Sequence, residues 1–154
     1  LGAVAGKAEV LQHLAPEGPV YQAGTLSGNP LAVAAGLKTL ELLEADPPYA
    51  RLEQLTSRLC PGIEEAAAEC GVPVQISRCG SMFTVFFSRL PVTDFRSAVA
   101  SDVKRYARFF HGLLGRGVYV APSQFETCFV SCAHDERVVE ETIDAARAVF
   151  ASLA

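Results

Sequence analysis

The run Asp46-Pro47-Pro48 divides this chain into two unlike stretches. Consecutive prolines lack backbone donors and push the preceding residue out of helical geometry, so no helix runs through this point. It is the best candidate for a domain boundary. The first 30 residues are rich in Gly and Pro and hold no helical period, until Ser27-Gly28-Asn29-Pro30 announces a helix with Asn29 as cap and Pro30 in the first turn. That helix is expected from Leu31 to Glu44. Its apolar side chains (Leu31, Val33, Leu37, Leu40, Leu42, Leu43) and alanines surround it, which predicts burial on several sides or a place at an interface.

After residue 48 the period changes repeatedly. A helix carries Leu52, Leu55, Leu59, Ile63 and Ala67 on one stripe, and Pro61, read as part of that stripe, predicts a kink or break near Leu59 to Pro61. Val72 to Ile76 and Met82 to Phe87 read as strands joined by Arg78-Cys79-Gly80-Ser81. An amphipathic helix over 99–114 follows, with Gly115 and Gly117 leading to a short strand at Val118 to Val120. A strand at Phe129 to Cys132 and a helix from Asp135 to about Ser152 complete the order α, β, β, α, β, β, α. This order implies a small, mainly antiparallel sheet with helices on one face.

Composition removes several function classes. With 154 residues and 50% of them apolar, the chain has material for a core that needs no metal or disulfide. A formal charge of −4 without a block of basic residues argues against nucleic acid as a partner. The apolar runs around Leu31 to Leu37 and Met82 to Phe87 fall short of the ~20 residues that cross a bilayer, so no membrane partner is expected. Cys60, Cys70, Cys79, Cys128 and Cys132 form no CxxC pair, which reads as no metal site and as small buried hydrophobes in a reducing, cytoplasmic setting. Cys128 and Cys132 would share one face of a strand. His13, His111 and His134 read as surface or cap-region residues, and no nucleophile triad or phosphate-loop fingerprint is present. The chain starts at Leu1 and its one methionine is Met82, so it is expected to begin inside a longer protein.

Two segments carry possible chemistry. Tyr21-Gln22-Ala23-Gly24-Thr25-Leu26-Ser27-Gly28-Asn29-Pro30 brings small residues and hydroxyls to a helix N-terminus, a geometry in which backbone approaches an anion. Read without other information, the segment is first a well-capped turn. Tyr119 to Phe129, containing Ala121-Pro122-Ser123-Gln124-Phe125-Glu126, places one carboxylate between two apolar runs. Alone, Glu126 reads first as an exposed loop acid.

On these residues, with Gly18-Pro19-Val20-Tyr21, Gly80-Ser81-Met82-Phe83, Arg116-Gly117-Val118-Tyr119 and Phe129-Val130-Ser131 in the same order, the chain resembles the glutamate-1-semialdehyde 2,1-aminomutase family, a branch of the class III pyridoxal-phosphate aminotransferases. The Gly-Thr-x-Ser-Gly-Asn-Pro run is shared across related aminotransferases; Ala-Pro-Ser-Gln-Phe-Glu is particular to the mutase branch. The resemblance implies an α/β chain. Residues 1–45 would be the end of a fold type I cofactor-binding large domain, and 46–154 a small α+β C-terminal domain. It implies that Gly24 and Thr25 bind the phosphate of pyridoxal 5'-phosphate or pyridoxamine 5'-phosphate across a homodimer interface. It also implies that Glu126 is an active-site group where many relatives carry an arginine. A carboxylate there suits an amino-bearing substrate and disfavours a second carboxylate. The implied reaction is intramolecular amino exchange converting (S)-4-amino-5-oxopentanoate to 5-aminolevulinate, the tetrapyrrole precursor.

The resemblance also implies that the Schiff-base lysine lies upstream of Leu1. Lys7, Lys38 and Lys104 do not match it, and the chain alone is expected to be inactive. Thr127-Cys128 departs from the usual Ala-Gly after Glu126. A class III ω-aminotransferase with separate donor and acceptor substrates, or a noncatalytic dimerisation domain, are the alternative readings.

Overall fold

The structure is a computed structural model that describes residues 2–153. It divides into two compact units, Leu1–Pro47 and Pro48–Ala154.

The first unit holds a single-turn helix, α1 (Ala8–Leu11), and α2 (Pro30–Ala45). The short α1 falls where no helical period is legible, because one turn is too short to show one. Asn29 caps α2: its side-chain oxygen accepts from the amides of Leu31 (3.1 Å) and Ala32 (3.2 Å). The apolar residues of α2 are not buried within this unit; Leu31 is 82% exposed, and Leu37, Leu40 and Leu42 are exposed as well.

The second unit runs α3 (Tyr49–Glu69), β1 (Gln75–Cys79), β2 (Met82–Phe86), α4 (Phe95–Val99), α5 (Val103–Leu114), β3 (Cys128–Phe129) and α6 (Glu136–Ala151). The three strands form an antiparallel sheet in the order β1-β2-β3. Phe83 and Val85 of β2 share a face of the pleat and are buried in the helix-packed core, whereas Met82, on the other face, is exposed.

Several elements differ from the sequence reading for identifiable reasons. The helix α3 passes through Pro61 without a break. Pro61 is exposed and lies outside the buried stripe of Leu55, Leu59, Ile63 and Ala67. The carbonyl that loses its partner belongs to Ser57, also exposed, so water replaces the missing amide. The first strand begins at Gln75 rather than Val72, because Pro73 has no amide for a ladder and the Val72 amide closes the end of α3 on Ala67 O at 2.9 Å. Cys79 pairs with Met82, which narrows the connection to Gly80-Ser81; Gly80 has φ +56°, conformational ground that favours glycine.

The expected helix over 99–114 starts only at Val103, as α5, and Val99 instead ends the separate short helix α4. Asp94 caps α4 by accepting from the Ser97 amide at 2.7 Å, and Asp102 starts α5 by accepting from the Arg105 amide at 2.9 Å. The Asp102 carboxylate takes the Arg105 amide, a donor that a helix continuing from α4 would use, so the chain restarts there instead of running on. Val118–Val120 is not a strand, since no neighbouring strand pairs with it among the described residues. The last strand ends at Phe129, so Cys132 lies outside it and is exposed, and it shares no strand face with Cys128. Only Cys60 is fully buried; Cys79, like Cys132, is exposed, against the expectation of uniformly buried thiols.

The core is built where α3 and α5 meet α6. Phe109 and Phe150 stack with ring centroids 4.9 Å apart, and Phe87 meets Phe109 edge-on at 5.5 Å. Gly112 lets α5 approach α6 closely: a Cβ there would sit 2.8 and 2.9 Å from the two γ-carbons of Val149. Across α3 and α6, Arg58 holds Glu140 with two hydrogen bonds of 2.7 and 3.0 Å, and Arg147 reaches Glu69 at 3.1 Å. These exposed pairs fix helix orientation more than they add stability.

Two predictions follow from this packing. Gly112→Ala gains about 1 kcal/mol of helix propensity but meets a branched side chain that has nowhere to turn, costing about 1–3 kcal/mol, so it lowers the urea midpoint. Phe150→Ala, at a fully buried site, lowers stability by about 3–5 kcal/mol in the same measurement. The thiols should separate as well. Burial pushes Cys60 from about 9 to about 11, so dithionitrobenzoate at neutral pH titrates Cys79 and Cys132 first and Cys60 only after unfolding. Because the folded thiol ionises later than the unfolded one, its stabilisation is complete below pH 9 and is lost as the pH rises through about 11.

Candidate functional site

In the first unit the candidate phosphate-binding turn precedes α2. The Ser27 amide donates to Gly24 O at 3.0 Å and the Asn29 amide to Leu26 O at 3.1 Å, and Gly28 has φ +73°. Substituting Gly24 would bring a Cβ to 2.9 Å from Ser27 Oγ, so the turn is closed around a residue without a side chain. Thr25 is exposed, and its amide and hydroxyl enter no hydrogen bond with another described residue. A phosphate oxygen fits those donors. Residues 21–30 contain no Lys or Arg, so this turn supplies directional hydrogen bonds and no neutralising side-chain charge. The first amides of α2 are occupied by Asn29.

In the second unit a cavity of about 410 Å³ opens beside β3. Its walls are mainly apolar, with Leu59, Val130 and Val139 among them, and Glu126, His134, Cys128, Thr127 and Thr142 are among its polar residues. Such a cavity with a few polar groups on an apolar lining is the usual form of a small-molecule site. Glu126 is exposed at its rim and sits in a turn whose amide donates to Ser123 O at 3.0 Å. The Phe125 amide donates to Ser123 Oγ at 3.2 Å. Between them, Gln124 is 1% exposed, and its amide atoms have no hydrogen-bond partner among the described residues.

The sequence reading left His134 as a cap-region residue. It does precede the α6 cap, where Asp135 accepts from the Val138 amide at 2.9 Å, but its ring also lines the cavity that contains Glu126. The Ser131 amide donates to His134 Nδ1 at 2.9 Å, which in the neutral ring places the proton on Nε2. The signal in the sequence was the spacing Ser131-x-x-His134, which brings a ring nitrogen within reach of a turn amide. Cys128 is half-buried in the same wall, and burial raises its thiol above the ordinary range. Thr127 is exposed. Gly24 and Thr25 belong to the first unit and Glu126 to the second.

Comparison with known proteins gives a consistent family. The family described as Aminotransferase class-III matches residues 1–146. Glutamate-1-semialdehyde 2,1-aminomutases from Thermus thermophilus, Desulfitobacterium hafniense and Anaeromyxobacter sp. are 56%, 49% and 51% identical to 93%, 99% and 100% of the chain. The chain spans 34–36% of the length of these relatives. Among solved structures, an omega-transaminase from Sphaerobacter thermophilus superposes with a TM-score of 0.79 at 31% identity, covering 96% of this chain and 34% of its own. A beta-phenylalanine aminotransferase from Variovorax paradoxus gives 0.69 at 25% identity, over 93% of this chain and 33% of its own. By its sequence match over nearly its whole length and by its fold, the chain belongs to the class III aminotransferases.

Proposed function

We propose that this chain is a portion of a pyridoxal-phosphate-dependent aminomutase that converts (S)-4-amino-5-oxopentanoate to 5-aminolevulinate in tetrapyrrole formation. The observation that carries the reading is identity of about half along the entire chain to proteins of that name. Residues 1–45 then end the large cofactor-binding domain, and 46–154 form the small domain. The working protein is a cytoplasmic homodimer.

The chain's own groups have definite tasks in this reading. Thr25 donates its hydroxyl and amide to the cofactor phosphate of the neighbouring subunit, and Gly24 keeps the turn tight enough to present them. Glu126 holds the amino end of the substrate and repels a second carboxylate, which keeps a dicarboxylic amino acceptor from competing. Pyridoxal phosphate, held mainly by residues outside this chain, supplies the electron sink and carries the amino group. The lysine that moves protons at that group also lies outside the chain.

An ω-aminotransferase with separate donor and acceptor is the second reading, favoured by the superposition on the Sphaerobacter thermophilus enzyme. The two separate on one assay. In the full-length protein, turnover of the amino-aldehyde is expected without any added keto acid. Stimulation by pyruvate or 2-oxoglutarate would establish the aminotransferase instead. Glu126→Arg should depress mutase turnover by about a hundredfold, the scale seen when a charge-placing group is lost from an active site, and an unchanged rate removes Glu126 from the site. Thr25→Val should weaken cofactor retention at least about tenfold in equilibrium dialysis, the loss of one charge-assisted hydrogen bond. The 154-residue chain mixed with cofactor should show no turnover.

A further inference from the structure

The segment that carries Glu126 has little regular structure, yet side-chain hydrogen bonds hold it at Ala121. Tyr106 Oη donates to Ala121 O at 2.6 Å, and the Ala121 amide donates to Cys128 Sγ at 3.5 Å. Both polar groups of one peptide position are therefore held by side chains, from two different elements. Tyr106 is 4% exposed on α5, and its ring is fixed by Phe87 and Phe109, each with centroids 6.3 Å away. Cys128 opens β3, whose ladder with Phe83 ties it to the sheet.

The contact between Ala121 and Cys128 closes residues 121–128 into a loop, and Glu126 lies inside it. Within the loop the Ser123 carbonyl and hydroxyl hold the Glu126 and Phe125 amides, and Gln124 is packed out of water. With both ends fixed and Gln124 buried between them, few backbone freedoms remain for the carboxylate.

We propose that Tyr106 and Cys128 are positioning residues for Glu126: they grip Ala121 from opposite sides and hold the loop that presents the carboxylate to the cavity. Burial supports the arrangement chemically. It pushes the Tyr106 phenol and the Cys128 thiol upward, with the nearby Glu126 adding to both, so the phenol stays a donor across the working pH range. The phenol bond to a backbone carbonyl is the stronger hold, because sulfur is a weak acceptor at long reach.

This inference rests on the aminomutase reading only for the role of Glu126; the hold on the loop is a separate physical claim. The experiment keeps the two apart in the full-length protein with its cofactor. Hydrogen exchange followed by mass spectrometry is expected to accelerate at least about tenfold in peptides covering 121–128 for Tyr106→Phe, and by less for Cys128→Ala, with α6 peptides unchanged. Cys128→Ser, which keeps an acceptor, should restore much of the protection. Unchanged exchange in 121–128, or equal acceleration in α6, would overturn the proposed grip.

A second arm measures action through Glu126. Tyr106→Phe should lower kcat about tenfold with little change in KM, and by less than twofold when introduced into Glu126→Gln. An equal loss in both backgrounds shows that Tyr106 acts by general stability, and sinks the positioning role. If Glu126→Gln alone leaves turnover intact while exchange in 121–128 still responds to Tyr106→Phe, then the assignment of Glu126 to the active site fails and the grip on the loop stands.

Discussion

The stack of Phe109 on Phe150 is the contact on which the second unit depends. It joins α5 to α6 at the centre of the core, and the glycine at 112 permits it by letting the two helix backbones come close. Everything that the candidate site needs is reached from there in short steps. Phe87 leans on the stack, Tyr106 packs against both Phe87 and Phe109, and its hydroxyl emerges at the loop that carries Glu126. A dense interior transmits position well, because side chains in it have few alternative rotamers. An irregular loop attached to such an interior is held more narrowly than its lack of secondary structure suggests.

The β-sheet has a different part. With three strands, the last only two residues long, it contributes modest stability, but it sets the direction in which the chain leaves the core. The pairing of Phe83 with Cys128 and Met82 with Phe129 fixes the exit of the Glu126 loop, and the bond from the Val130 amide to Ser81 O (2.9 Å) continues that pairing past the strand. On the far side, the Ser131 amide turns the chain back onto His134 before α6 begins. Glu126 and His134 thus come to one cavity from opposite ends of the same short strand.

How much of this was legible in the sequence depended on the range of the interactions involved. The start of α2 was readable because Asn29 and Pro30 act within one turn, and Asp135 was readable as a cap for the same reason. The restart of the helix at α5 is equally local, written in Asp102, although the amphipathic period reads on past it. Pro61 does not break α3 because it lies on the solvent face and not in the apolar stripe where the sequence reading places it, and an exposed carbonyl without its amide is open to water. Val118–Val120 has strand composition and no strand, since a ladder needs a neighbour that composition does not reveal. In the candidate site, Glu126 stood out as a lone charge between apolar runs. Tyr106 did not, because a tyrosine on an apolar stripe looks like packing until its hydroxyl is seen to end on Ala121.

The two units also differ in what they can do unaided. The second buries a connected set of aromatic and aliphatic side chains and so contains its own driving force for folding. The first, over the described residues, buries no side chain, and its leucines on α2 are open to solvent on several sides. Ordering a backbone costs about 1–2 kcal/mol per residue, and a segment that removes so little apolar surface from water does not offset that by itself. A capped helix with apolar residues around its circumference is the composition of an element that is covered in the working protein. The lengths of the aminomutase relatives, about three times that of this chain, agree with that requirement. The phosphate-binding assignment of Thr25 therefore carries a physical condition. The turn before α2 can hold an anion steadily only when the helix behind it is itself held.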